Sequence, residues 1–315
     1  MDSVTLGEFD QQLLHALHLD GRAPFSKIAE VLGVSDRTVA RRFARLRATG
    51  AARVTAVVEG RGAGHAEWLV RLRVLPSHAA ALARDLARRA DTAWVTLLSG
   101  GTEVVFVLRA PEGAAPLAEL TRHPRILGVE ADRLLRHLME RRWFGRTSAL
   151  TDEQAAALRP APGATASPVT LNDLDRRLLP ALATDGRAAY PGLAGRVGWS
   201  ESAVRRRLED LRRSGTLRFD VEVDPVLLGF RTQCLIRLTV APSLLAATAR
   251  ALAADSEAAF VAATTGPHNL LAIVVCRDED ALYAYLSGRL GSLGGVERVE
   301  TAPITSYVKR VAPTA

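Results

Sequence analysis

The chain of 315 residues is 48% hydrophobic and 24% charged, proportions that exclude a disordered or fibrous protein and leave room for about two to four domains. Its net charge of +7 and pI near 10.2 favour a polyanionic partner, and because Lys27 and Lys309 are the only lysines, the excess is carried by arginine. An apolar run of about 18 residues is missing, and Met1-Asp2-Ser3 does not open a signal peptide, so the expectation is a cytoplasmic protein without membrane contact.

In chain order, residues 8–18 form a first helix with Phe9, Leu13, Leu14 and Leu17 inward, and Asp20-Gly21-Arg22 makes a turn after it. His15 and His18 lie one turn apart on this helix and are read as surface residues. Ser26 to Leu32 form a second helix. A third follows the turn Gly33-Val34-Ser35, with Ser35 as its N-cap. There Val39, Phe43 and Leu46 share one face, and Arg37, Arg41 and Arg45 fall opposite, with Arg42 at the border. This is a helix-turn-helix whose last helix has an apolar back and an arginine front. Arg53 to Val58 is extended. The elements then become strand, helix, strand, strand, helix, strand: Trp68 to Val74, Ala79 to Arg89, Ala93 to Leu98, Glu103 to Arg109, Leu117 to Thr121 and Val129 to His137. Residues 147–168, rich in Ala, Pro, Ser, Thr and Gly, read as a linker. Thr151 could cap a short helix through Leu158.

The whole pattern then returns. Asp20-Gly21-Arg22-Ala23 recurs as Asp185-Gly186-Arg187-Ala188 at an offset of 165 residues. The same offset pairs Asp10 with Asp175, Ser35 with Ser200, Arg41 with Arg206 and Arg42 with Arg207. The second helix-turn-helix comprises Leu174 to Leu182, Tyr190 to Val197 and Glu201 to Arg213, with Pro180 expected to kink or delay its first helix. After an extended run, Leu217 to Val223, the elements are Gln233 to Val240, Leu244 to Ala253, Ala259 to Thr264, Leu270 to Cys276, Glu279 to Leu290 and Val296 to Val308. Cys234 and Cys276 fall in these strands as small buried hydrophobes.

The fold class is therefore α+β: two tandem copies of a winged-type helix-turn-helix followed by a ferredoxin-like βαββαβ sandwich. The expected domains are 1–60, 61–146, 169–226 and 227–315, around the linker. One face of each sheet is left uncovered, which implies pairing with another copy. One chain is thus a covalent pseudo-dimer, open to further self-association.

Leu178-Leu179 with Asp185-Gly186-Arg187, then Leu193-Ala194, Val197-Gly198, Ser200, Val204, Arg207, Leu211, Gly215 and Asp224-Pro225-x-x-x-Gly229, resemble the Lrp/AsnC family of transcription regulators. Thr265-Gly266-Pro267-His268-Asn269 and Gly295-Val296-x-x-x-Glu300-Thr301 continue the resemblance into the sandwich, the RAM domain. It implies double-stranded DNA as partner, no cofactor, and a small-molecule effector, commonly an amino acid. The implied effector loops are Ser99-Gly100-Gly101-Thr102-Glu103 and Thr265-Gly266-Pro267-His268-Asn269, where glycine-opened amides suit a carboxylate and Glu103 an ammonium group. Asn269 replaces the acidic residue in the second copy.

For base readout the candidates are Arg37, Thr38 and Arg41 in the first copy and Ser202, Arg205 and Arg206 in the second. Arg42, Arg45, Arg207 and Arg213 are assigned to phosphates. Because Arg37 matches Ser202 and Arg45 matches Asp210, the half-sites should differ and the first copy should bind more strongly. Siroheme decarboxylases are similar to this family in fold, so a tetrapyrrole enzyme is the alternative, and a protein-interaction module a third reading. An enzyme would want histidines or arginines gathered in the sandwich cleft.

Overall fold

The computed structural model describes residues 6–58, 65–111, 113, 117, 124–138, 149–160 and 169–309. These fall into two compact units, one drawn from 1–64 and 146–227 and the other from 65–145 and 228–312. The first holds both helix-turn-helix copies and the second both sandwiches.

In the first unit, α1 (Glu8–Leu19), α2 (Phe25–Leu32) and α3 (Asp36–Ala48) are followed by β1 (Ala52–Val58). Their counterparts are α6 (Asp173–Thr184), α7 (Tyr190–Val197), α8 (Glu201–Arg213) and β6 (Leu217–Val223). Gly33 and Gly198 end α2 and α7 in the left-handed region, at φ 66° and 73°, where a side chain would be strained. Pro180 does not delay α6, which starts at Asp173 and continues through the proline. The strands do not build a wing within each copy. β1 and β6 instead pair with each other, antiparallel, Ala52 opposite Val223 and Val58 opposite Leu217.

The stretch expected as linker contains α5 (Asp152–Leu158), capped reciprocally by Thr151 and Gln154. It packs on the first copy: Leu158 is buried, Gln154 Nε2 donates to the Val31 carbonyl at 3.2 Å, and the Leu150 amide donates to His15 Nδ1 at 3.3 Å.

The second unit contains β2 (His65–Val74), α4 (Pro76–Arg88), β3 (Thr92–Leu98), β4 (Glu103–Pro111) and β5 (Ile126–His137) from the first copy. The helix expected over Leu117 to Thr121 lies outside the described residues, Leu117 excepted. The second copy supplies β7 (Thr232–Val240), α9 (Leu245–Ala253), β8 (Ala258–Thr264), β9 (Leu270–Cys276), α10 (Glu279–Ala284) with a wide-turned extension Tyr285–Leu290, and β10 (Val296–Lys309). The two sheets join at both edges, β5 to β8 and β10 to β3, into a closed barrel ordered β10-β3-β4-β2-β5-β8-β9-β7. The sheet faces that looked uncovered thus cover each other within one chain. Leu69, Leu98, Val105, Leu235, Leu271 and Ile273 meet there, while separate cores lie between each sheet and its helices. This explains the unbroken apolar run of β9, all of which is buried: it has a core on each side. Cys234 and Cys276 are buried thiols outside any disulfide among the described residues, and burial raises the Cys234 thiol to about 11.

Candidate nucleic-acid interface

The third helix of each copy is seated by its apolar face and by one arginine. Val39, Phe43 and Leu46 are buried under α3, and Val204, Leu208 and Leu211 under α8. Arg42 donates from Nε and Nη2 to the two oxygens of Asp10 at 2.5 and 2.8 Å, and Arg207 does the same to Asp175 at 2.9 and 2.5 Å. Asp10 and Asp175 are both buried, and each also accepts from a backbone amide at the start of its helix, Gly7 and Asn172. The assignment of Arg42 and Arg207 to phosphates needs revision on this geometry. Their bidentate pairs tie α3 to α1 and α8 to α6, because the buried carboxylates require a partner. The pairing raises both guanidinium pKa values.

Ser35 and Ser200 are N-caps, accepting from the Thr38 amide at 3.1 Å and the Ala203 amide at 3.3 Å. Each also shares a hydroxyl hydrogen bond with a neighbour, Thr38 at 2.8 Å and Ser202 at 3.1 Å. Arg37, Arg41, Arg45 and Arg206 are exposed, and no partner holds their guanidinium groups among the described residues. Arg205 is partly engaged, with Glu201 at 3.0 Å and over the Tyr190 ring at 4.4 Å. Arg213 pairs with Asp210 at 3.2 Å. The first copy therefore presents the freer cationic face. Trp199, 50% exposed in the turn before α8, was not anticipated; it stands where the first copy has Val34.

The Asp-Gly-Arg-Ala repeat does more than turn the chain. Arg22 donates to the carbonyls of Gly186 and Ala188 at 2.8 and 3.0 Å, and Arg187 to those of Gly21 and Ala23 at 2.7 and 2.9 Å. Arg22 stacks on Tyr190 and Phe219, and Arg187 on Phe25 and Phe43. Asp20 takes Arg212 at 2.7 Å, and Asp185 takes Arg47 at 3.1 Å. A Cβ on Gly21 would meet Phe219 Cβ at 2.7 Å, so only glycine lets the copies approach this closely. Burial, with Arg22 facing it, lowers Arg187 to about 10, still charged at neutral pH. The two helix-turn-helix copies are clasped reciprocally through the motif that revealed the duplication.

His15 and His18 are not plain surface residues. His15 accepts from Leu150, as above. His18 Nδ1 lies 2.8 Å from the Leu14 carbonyl, and burial lowers it to about 4.

In the barrel, Glu103 is occupied. Arg71 donates to both its oxygens, at 2.8 and 2.7 Å, and to Glu300 of the second copy at 2.5 Å. Arg237, the counterpart of Arg71, reaches back to Glu130 at 3.0 Å and Asp132 at 3.1 Å. His268 is buried against Glu300 at 3.1 Å, its pKa lowered by burial and by Arg237. Asn269 clamps Val240 by two hydrogen bonds, and the Gly100 amide donates to Thr305 Oγ1 at 3.1 Å. Thr265 Oγ1 accepts from the Arg133 amide at 2.8 Å, and Gly266 at φ 88° leaves the space that Asp132 fills. Ser99 and Thr102 close their own turn, the Thr102 hydroxyl donating to the Ser99 carbonyl at 3.0 Å, with Gly101 at φ 90° between them. Glu103, His268 and Asn269 were assigned to a ligand; in the structure Glu103 holds Arg71, His268 holds Glu300 beside Arg237, and Asn269 holds the Val240 backbone.

A family model described as the AsnC-type helix-turn-helix domain matches residues 6–47 and again 171–212, and one described as the Lrp/AsnC ligand binding domain matches 233–313. An uncharacterised HTH-type transcriptional regulator of Pyrococcus furiosus is 31% identical over 140 residues, 44% of this chain and 95% of that protein. The chain belongs to the Lrp/AsnC family. The Lrp/AsnC relatives include the HTH-type transcriptional regulator LrpA of Pyrococcus horikoshii, 26% identical over 44% of this chain and 99% of that one. At the level of fold, the crystal structure of the siroheme decarboxylase NirDL covers 97% of this Lrp/AsnC chain and 93% of its own, with a TM-score of 0.65 and 15% identity. No described helix is long and apolar enough to cross a membrane.

Proposed function

We propose that this Lrp/AsnC protein is a sequence-specific DNA-binding transcriptional regulator in which one polypeptide supplies both reader heads as a pseudo-dimer, modulated by a small molecule. The observation that carries the reading is the set of exposed guanidinium groups of Arg37, Arg41, Arg45 and Arg206, unpartnered among the described residues, on the faces of α3 and α8 opposite their cores. Arginine in that position donates two hydrogen bonds to guanine in the major groove. Arg37, Thr38 and Arg41 then read bases for the first copy, and Ser202, Arg205 and Arg206 for the second. Arg45 and Arg213 take phosphates, while Arg42 and Arg207 hold the helices in place.

Selection of bound duplexes from a random pool tests this. The expected product is two unequal half-sites whose affinity falls steeply with salt. A perfect palindrome would refute the asymmetry, and no selection above background would refute DNA binding itself. For the effector, the family's loops need an incoming amino acid to displace Arg71 from Glu103. Repeating the selection with mixed amino acids reads out whether it does.

The likeness to NirDL keeps tetrapyrrole chemistry as a second reading, and Arg71, Arg237 and His268 do gather inside the barrel. Four carboxylates, Glu103, Glu130, Asp132 and Glu300, surround them. That balance disfavours a macrocycle bearing many acidic groups. A visible absorption band on the purified protein would favour the enzyme.

A further inference from the structure

The correspondence between α3 and α8 fails along one stripe. Ala40, Ala44 and Ala48 of α3 stand where α8 carries Arg205, Glu209 and Arg213. In the second copy Arg205 grows out of this stripe and covers the Tyr190 ring. In the first copy no side chain of that length starts at position 40, and a cavity of about 540 Å³ opens there. It is lined by the three alanines together with Phe25, Phe43, Arg47 and Arg187.

This volume lies within the range of small-molecule sites, about 300–1,000 Å³. The lining is apolar and aromatic, with the Phe25 and Phe43 rings tilted at 5.7 Å between centroids. It contributes two guanidinium groups and no carboxylate. Arg47 has Asp185 as its only salt-bridge partner among the described residues and stays 56% exposed. Arg187 is held over Phe25, 4.2 Å from the ring centroid, by bonds to two carbonyls, with no ion pair of its own among the described residues. A fixed cation beside aromatic walls suits a ligand with a flat apolar body and one negative group.

We infer that this cavity binds a small aromatic carboxylate, its ring against Phe25, Phe43 and the alanine stripe and its carboxylate at Arg47 and Arg187. The site shares no lining residue with the loops of the barrel and does not depend on the DNA-binding reading. Because Arg187 comes from the second copy and the rest from the first, the ligand bridges the clasp between the reader heads. In the second copy Arg205, Glu209 and Arg213 occupy the equivalent stripe, so one ligand per chain is expected.

Naphthoate is the probe, and its uncharged amide the control, titrated calorimetrically into the full chain without DNA. Saturable binding of one naphthoate per chain is expected, at least about tenfold tighter than the amide. Ala44→Leu fills the cavity and should weaken binding by at least about tenfold while leaving the far-ultraviolet circular dichroism unchanged. Should Ala44→Leu misfold, Ala40→Arg, which restores the residue α8 carries at this position, decides in its place. Absence of saturable binding, equal binding of acid and amide, or undiminished binding by the folded filled variant overturns the proposal.

Discussion

Arg42 on Asp10 and Arg207 on Asp175 make the same pair in the two copies, as do Arg22 and Arg187 across the clasp. A turn away on the same helices the residues are Arg37 against Ser202, Ala40 against Arg205 and Arg45 against Asp210. The difference follows from where each side chain ends. A guanidinium whose carboxylate partner is buried cannot be exchanged without stranding a charge. One that ends in solvent can change at little cost to folding, so the surfaces of the two heads are free to diverge in what they bind.

Removing the paired arginines probes this most strongly. Arg207→Ala should cost about 3–5 kcal/mol in urea unfolding, since it strands a fully buried Asp175. Arg42→Ala should cost less, because the Arg42 side chain is 33% exposed against 16% for Arg207. The reverse order would break the account of these pairs.

The next effect is a pH dependence confined to one copy, because His18 has Ala183 as its counterpart. His18 is held neutral in the fold at about 4, against an ordinary value of 6.5. Its contribution is fully present above pH 6.5 and is lost as the pH falls towards 4, by up to about 3 kcal/mol. His18→Ala, which copies the second head, should flatten this limb of a stability-against-pH curve. An unchanged acid limb would show that other groups cause it.

Smaller effects concern DNA. Arg41→Ala and Arg206→Ala should each weaken binding by about 1–3 kcal/mol and relax preference at one base pair. Arg37→Ala should cost more than Ser202→Ala in the same mobility-shift titration. The least change is expected from Arg45→Ala, a uniform loss across sequences with the salt slope reduced by about one, and from Arg213→Ala, whose charge Asp210 already offsets. Equal responses from the two heads would refute the asymmetry.

The elements themselves were legible because their signals are local. Ser35 caps α3 as its place before the apolar period implied, and Leu270 to Cys276 is a strand as the element order expected. The duplication was equally plain, since repeated residues at a constant offset need no structure to be seen. Partners were another matter. Arg42 and Arg41 are adjacent arginines on one helix, and nothing in the string says that only the first meets a buried aspartate. Asp-Gly-Arg reads as a turn because a turn is what three residues can encode alone; its hold on the other copy spans more than 160 residues. Composition and periodicity, acting over one or two helical turns, settled what each segment becomes and that it occurs twice. Which charges remain free to meet a ligand was decided by tertiary packing, since a charge is neutralised by whatever lies nearest in space.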